Sequence, residues 1–334
     1  LDGAFALKPD FLKSKILSNL DSEDEGQLFV GCAGGVDTTA IFDYKTKKLP
    51  SNDVAAKFRI YGAKGGHSGD DINKGRANAV QLLGRFLYEI LPYGIELCTI
   101  GGGNKRNAIA REASAVIAFA QKNEDEIIAA FNRVIKEISA EYAITDPAVT
   151  GSAEPVSLPE NAIDAGTASR LIAALNAAPH GVLAMSADIE GLVETSSNLA
   201  SVKMIDGNKI RIGSSQRSAI NSARHFAAQR FEAAFVNAGA TVTHESEYPG
   251  WKPNLDSRIL DISRKSYVKL FGNEPIVRAI HAGLECGLFS DKYPCLDMIS
   301  FGPTLVGVHA PGEKLDLASL DKFWILLLDV LKEA

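Results

Sequence analysis

The apolar pattern of this chain changes period between Ala55 and Ile90, and that change constrains its fold more than any other feature. Phe58 and Ile60 alternate with Lys57 and Arg59, the period of two of a half-buried strand. After the loop Gly65-Gly66-His67-Ser68-Gly69, the residues Ala77, Val80, Leu82, Leu83, Phe86, Leu87 and Ile90 recur at helical spacing. That spacing predicts a helix over about 73–91, capped by Asp70 or Asp71. Each element hides one face only, so strands and helices must stack in layers. Strands at about 95–100 and 108–120 and a helix at about 123–141 continue the pattern. The polar, Pro-bearing stretch 144–158 then joins this lobe to a second one in which the order recurs loosely. It predicts a helix at about 160–177, strands near 190–195, 199–205 and 209–214, a helix at about 218–238 and a strand at about 240–245.

Past Tyr248-Pro249-Gly250-Trp251-Lys252-Pro253 the pattern becomes an alternation of helix and short strand, as it also is in the first 30 or so residues. The economical arrangement is one α/β domain in two pieces, residues 1–35 and 248–334, interrupted by a two-lobed α+β insertion over 36–247. A length of 334 residues agrees with about two domains.

Net charge is −6, which argues against the broad basic face of a nucleic-acid binder. The longest apolar run, Phe323 to Leu328, ends at Asp329 and is far short of the ~20 residues of a membrane span. Cys32, Cys98, Cys286 and Cys295 show no CxxC spacing, which excludes a disulfide scaffold or thiolate zinc cluster and fits a reducing cytoplasm. No phosphate-binding loop and no Gly-x-Ser-x-Gly elbow is present.

Several residues carry chemistry in their context. His309 follows an apolar strand and is flanked by Gly and Pro; it is either a zinc-ligating imidazole or a surface-loop histidine. Asp21 follows a short strand, as a metal ligand, a general base or part of a solvated acidic turn. His67, in its glycine loop, either donates to a substrate oxygen or is incidental to a strand-to-helix turn. His281, Gly283 and Glu285 offer a bare amide beside an ionisable pair. Arg217, at a strand end, has the planar fork that clamps a carboxylate, against a default role as a surface arginine.

These phrases occur together in a known order. Leu1-Asp2-Gly3-Ala4-Phe5, Asp21-Ser22-Glu23, Gly31-Cys32-Ala33-Gly34-Gly35, Lys64-Gly65-Gly66-His67-Ser68-Gly69, Arg106 to Ala113, Tyr248-Pro249-Gly250-Trp251, His281 to Phe289, and Gly302-Pro303-Thr304 with His309 resemble the bacterial aminoacyl-histidine dipeptidases. These are carnosinase-like, cytosolic di-zinc peptidases. The resemblance runs from Leu1 to the C-terminus. It implies an α/β zinc-peptidase catalytic domain, here partial, interrupted by a lid. It further implies hydrolysis of a small Xaa-His dipeptide with two zincs per intact subunit, other divalent metals being usable. By the same resemblance Asp21 and His309 are one ligand of each zinc, and His67 is the lid histidine that meets a substrate oxygen. Asn107, Arg217 and Gly283 hold the dipeptide, with His281 and Glu285 beside them. A homodimer is compatible with this reading; a nucleic-acid or membrane partner is not.

The family's His-x-Asp motif, bridging Asp and Glu-Glu pair have no counterpart among these residues and are expected ahead of Leu1. With one ligand per metal, these 334 residues alone are expected neither to bind a zinc pair tightly nor to hydrolyse peptides. The close rivals are a same-clan aminoacylase or carboxypeptidase. A non-catalytic binding or assembly module is the alternative of a different class.

Overall fold

A computed structural model describes residues 2–308 and 312–334. Two sheets organise it. The smaller has four strands in the order Ile16–Asn19, Asp297–Ser300, Gln27–Cys32, Ile276–Ile280. Its outer pairs are parallel and its central pair antiparallel. Helices Arg258–Phe271 and Leu317–Glu333 cover it, with Leu28, Val30, Ile259, Ile299, Phe301 and Val330 buried between them.

The larger sheet has nine strands. Eight run in the order Thr150–Val156, Asp53–Tyr61, Ala113–Ala120, Glu96–Gly103, Val193–Ile205, Lys209–Ser218, Gly34–Asp43, Thr241–Tyr248. The ninth, Gly181–Met185, pairs with the first part of Val193–Ile205. The order is palindromic. Inward from either end, one meets the last, first, third and second strands of a β-α-β-β-α-β unit. One unit is contiguous, from Asp53–Tyr61 through helices Ala79–Ile90 and Glu124–Glu141 to Thr150–Val156. The other is split. Its first strand, Gly34–Asp43, precedes the whole first unit, and its helices Ala165–Ala177 and Asn221–Asn237 follow it. A short ladder between Thr46–Lys48 and Asn161–Ile163 closes the point of insertion.

The two lobes are therefore nested, not consecutive, and they share one sheet. The stretch 144–158 is no linker: residues 150–156 are an edge strand paired with Asp53–Tyr61. The strand expected in two pieces at 190–205 is one strand with a register shift between Leu199 and Ser201. Helices of both lobes pack into one core. Phe58, Phe86 and Phe131 meet at centroid distances of 4.9–5.0 Å in the first lobe. Phe42 meets Phe235, and Phe235 meets Phe231, in the second.

The helix expected from about residue 73 begins at Ala79. Gly75 has φ +62°, which no helix accommodates, so the chain stays in turns until Asn78. Asn78 Oδ1 accepts from the amides of Val80 (3.0 Å) and Gln81 (3.2 Å), the N-cap arrangement. Asp71 instead accepts from the His67 amide at 2.8 Å and pairs with Lys74 and Arg76. The Asn78 amide group donates across the seam to Leu199 O at 2.7 Å. This seam has only three residue pairs of ladder, Gly101–Gly103 against Ser201–Lys203.

Asn78→Ala removes both the cap and the donor to a buried carbonyl. The expected loss is about 2–3 kcal/mol of unfolding free energy in urea. Asn78→Ser restores the cap alone and should recover about 1 kcal/mol of that loss.

Candidate functional site

A cleft of about 750 Å³ opens over the larger sheet, and Asp37, Arg106, Asn107, Arg211, Arg217 and Tyr248 are among its lining. Alternation along the strand Lys209–Ser218 sends Arg211, Gly213, Ser215 and Arg217 to the cleft side. Gly213 and Ser215 leave the floor low, and the charged residues form walls. Burial pushes the Asp37 carboxyl above its usual range, and Arg106, 2.8 Å away, pulls it back.

Arg217 is only 8% exposed. Its Nε donates to Ser68 Oγ at 3.4 Å and its Nη1 to Tyr248 Oη at 3.0 Å. Among the described residues no carboxylate pairs with it. Ser68 ties the arginine to the neighbouring loop, because its amide donates to Asn107 O at 2.9 Å. Asn107 is exposed in the cleft wall.

His67 lies in the same loop. The amides of Gly69 and Asp70 both approach its Nδ1 at 3.3 Å. In the neutral ring they make Nδ1 an acceptor and put the proton on Nε2, which makes no hydrogen bond to the described residues. An Asp70 carboxylate oxygen also lies 3.3 Å from Nδ1. Hydrogen bonding to His67 holds the Asp70 carboxyl below its usual range.

His281 comes from the smaller sheet, directly after Ile276–Ile280. Its Nε2 lies 2.7 Å from Ser196 Oγ, and Ser196 stands opposite Arg217 in the strand ladder. Burial pushes the His281 imidazole down from 6.5 to about 4, and the Arg217 charge adds to this. Gly69 faces the His281 carbonyl so closely that any side chain at 69 would collide with it. Gly283, two residues on, lies against the Tyr248 ring.

His67, Asn107, Arg217, His281 and Gly283 thus converge. Glu285 does not join them: it opens the helix Glu285–Lys292 and makes no hydrogen bond to the cluster. Asp21 is exposed beyond the strand Ile16–Asn19, and its amide donates to Asn19 Oδ1 at 2.7 Å. His309 lies outside the described residues. The phrase leading to it is bound to the Asp21 turn, through Leu305 N to Glu23 O at 3.0 Å and Glu25 N to Thr304 Oγ1 at 3.2 Å. Among the described residues no three His, Cys, Asp or Glu side chains are grouped so that they could share a metal ion.

Ser68, Ser196 and Tyr248 are parts of the cluster that the spacing of charged residues does not reveal. A signal for Ser196 exists: Thr195-Ser196-Ser197-Asn198 is a polar run inside a strand, and all four are buried. Such a run needs polar partners: Ser218 serves Thr195, Gln216 serves Ser197, His281 serves Ser196, and the Arg106 and Ala108 carbonyls accept from Asn198.

Comparison with known proteins agrees with this architecture. Residues 58–146, most of the contiguous lobe, match the M20 peptidase dimerisation domain. The cytosol non-specific dipeptidase of Escherichia coli (strain K12) is 38% identical over all 334 residues, which span 69% of that protein. The crystal structure of aminoacylhistidine dipeptidase from Vibrio alginolyticus superposes with a TM-score of 0.95 at 38% identity, over 99% of this chain and 67% of that one. Aminopeptidase PepT from Bacillus cereus shares the fold alone, with a TM-score of 0.54 at 14% identity over 99% of this chain and 60% of that one. No helix among the described residues is long and apolar enough to cross a membrane. With more than a third of its residues identical to a dipeptidase along its whole length, the chain belongs to the M20 family of metal-dependent peptidases, among its dipeptidases.

Proposed function

We propose that these residues hold and polarise a dipeptide, with histidine preferred at its C-terminal position, in a cytoplasmic zinc dipeptidase. The observation that carries this reading is Arg217, a buried guanidinium whose hydrogen-bond partners are hydroxyls and which no carboxylate pairs with among the described residues, Asp37 and Asp70 acting on it only at longer range. A buried cation without a partner is costly, and a ligand carboxylate relieves that cost. Two of its five N–H groups are committed to Ser68 and Tyr248, and three remain. Asn107 and the Gly283 amide complete the hold on the dipeptide. His67 donates from Nε2 to the scissile carbonyl oxygen as negative charge develops there. Neutral His281 braces the loop of Gly283 against Ser196 without adding a second positive charge beside Arg217.

In this reading the family's metals are a zinc pair, other divalent ions serving in its place, with Asp21 and His309 giving one ligand each. The match to a dimerisation domain supports a homodimer as the assembly. The free cysteines at 32, 98, 286 and 295 and the Escherichia coli relative's name support the cytoplasm.

In the full-length enzyme, Arg217→Lys should lower kcat/KM for a free-carboxylate dipeptide about ten- to hundredfold. The same dipeptide with an amidated C-terminus should show almost no further loss. Equal damage to both substrates would mean that Arg217 is structural. His67→Ala should lower kcat about a hundred- to thousandfold and leave KM nearly unchanged, as steady-state kinetics will read.

The depressed His281 value also sets a pH dependence. The unfolded chain takes up this proton near pH 6.5, whereas the folded chain takes it up only near pH 4. Stability from this group is whole above about 6.5 and falls as the pH drops through that window. Between pH 7 and pH 5 the loss is about 2 kcal/mol. His281→Gln should flatten urea-unfolding stability over that interval by about this amount.

A further inference from the structure

We infer that Tyr248 is the positioning residue for Arg217, aiming the free end of its guanidinium fork at the substrate carboxylate. This rests on the reading of Arg217 as the carboxylate holder. The hydroxyl accepts from Nη1 at 3.0 Å while Ser68 accepts from Nε. Those two bonds fix the guanidinium plane and leave three N–H groups uncommitted, one on Nη1 and two on Nη2. A planar fork recognises a carboxylate bidentately only when its plane is set in advance.

The ring is held as firmly as the hydroxyl. A β-carbon added at Gly35 would lie 2.6 Å from Tyr248 Cζ and Oη, and one added at Gly283 would lie 2.9 Å from Cε2. Real β-carbons do not approach so closely, so both positions must stay bare for the ring to sit between them. The backbone is fixed as well. Tyr248 follows a register shift in its strand, two residues after Ser246 at φ +53°. Its carbonyl accepts from Arg224 Nη1 at 2.6 Å. Tyr248 touches the larger sheet through Gly35 and Arg217, and the loop after the smaller sheet through Gly283. It thereby sets Arg217 relative to the Gly283 amide, the two groups that must grip one small ligand together.

The test is made in the full-length enzyme with a dipeptide and its C-terminal amide. Tyr248→Phe keeps the ring and removes the hydroxyl. The expected result is a five- to tenfold rise in KM for the acid, kcat within about twofold, and no comparable change for the amide. In an Arg217→Lys background, Tyr248→Phe should add almost nothing, because the two act as one unit. Gly35→Ala, which keeps the hydroxyl but pushes the ring off Arg217, should give the same acid-selective rise. Loss on acid and amide alike in both Tyr248→Phe and Gly35→Ala would overturn the inference. So would an unchanged acid KM in Tyr248→Phe. If Arg217→Lys still separates acid from amide in that case, the carboxylate reading stands and only the role of Tyr248 falls. If Arg217→Lys does not separate them, both fall.

Discussion

Two backbone hydrogen bonds hold the place where everything else meets. The chain leaves the smaller sheet after Cys32 and returns to it at Trp251, and these residues exchange amide-to-carbonyl bonds of 2.9 Å in both directions. The outgoing and returning strands are thus tied together at the border of the sheets. The Ala33 amide, one residue on, is shared between the carbonyls of Ile280 (3.0 Å) and Ala282 (3.1 Å). The loop that carries His281 and Gly283 is therefore bonded to the crossing itself. From the lid side, Arg224 is buried at 2% exposure and grips Tyr248 O, Asn221 and Glu247, while Asn221 receives the Gly250 amide at 3.0 Å. Tyr248 and Gly283 each adjoin this knot, Arg224 holding the Tyr248 carbonyl and the Ala33 amide holding the Ala282 carbonyl, and Arg217 is bonded to Tyr248.

The polarity of the site follows from the same economy. A lone guanidinium in a partly dry cleft tolerates neutral dipoles around it and tolerates a second cation badly. Its neighbours are accordingly Ser68, Ser196, Tyr248 and an imidazole that stays uncharged at neutral pH. Two of the three acidic residues lining the cleft pair with other cations, Asp37 with Arg106 and Glu247 with Arg224 and His225; the third, Glu245, acts on Asp37. A ligand that brings its own carboxylate completes the local charge balance instead of disturbing it.

The periodic signals were legible because they are local. Alternation at residues 57–60 marks a strand, and the stripe from Ala79 to Ile90 marks a helix. Residue chemistry likewise singled out the planar fork of Arg217 and the glycine-flanked His67. Three things were not local. The nesting of one lobe inside the other depends on which strands pair across more than a hundred residues, and no short window records that. The choice of Asn78 over Asp70 or Asp71 as helix cap turned on the backbone at Gly75. The cluster around Arg217 is built from hydroxyls whose side chains are common in any strand or loop, so Ser68 and Ser196 carry meaning only once the sheet register is known. Glu285 shows the converse: its nearness in sequence to Gly283 does not bring it into the cluster, because it has already entered the next helix.

Asn78 carries a consequence for how the lid persists as an object. Its carbonyl oxygen serves the helix of one lobe, and its amide group serves a strand of the other; His180, held within 3.3 Å of both Asn78 and the Leu199 amide, closes the triangle. Opening the seam therefore frays the helix start, and fraying the helix start weakens the seam. Neither lobe has a private reservoir of stability on that side. Recombination that copied out the contiguous lobe alone would carry Asn78 and its cap along but leave its buried amide group without the Leu199 carbonyl, so the excised lobe would start with an unpaired donor at the root of its first helix.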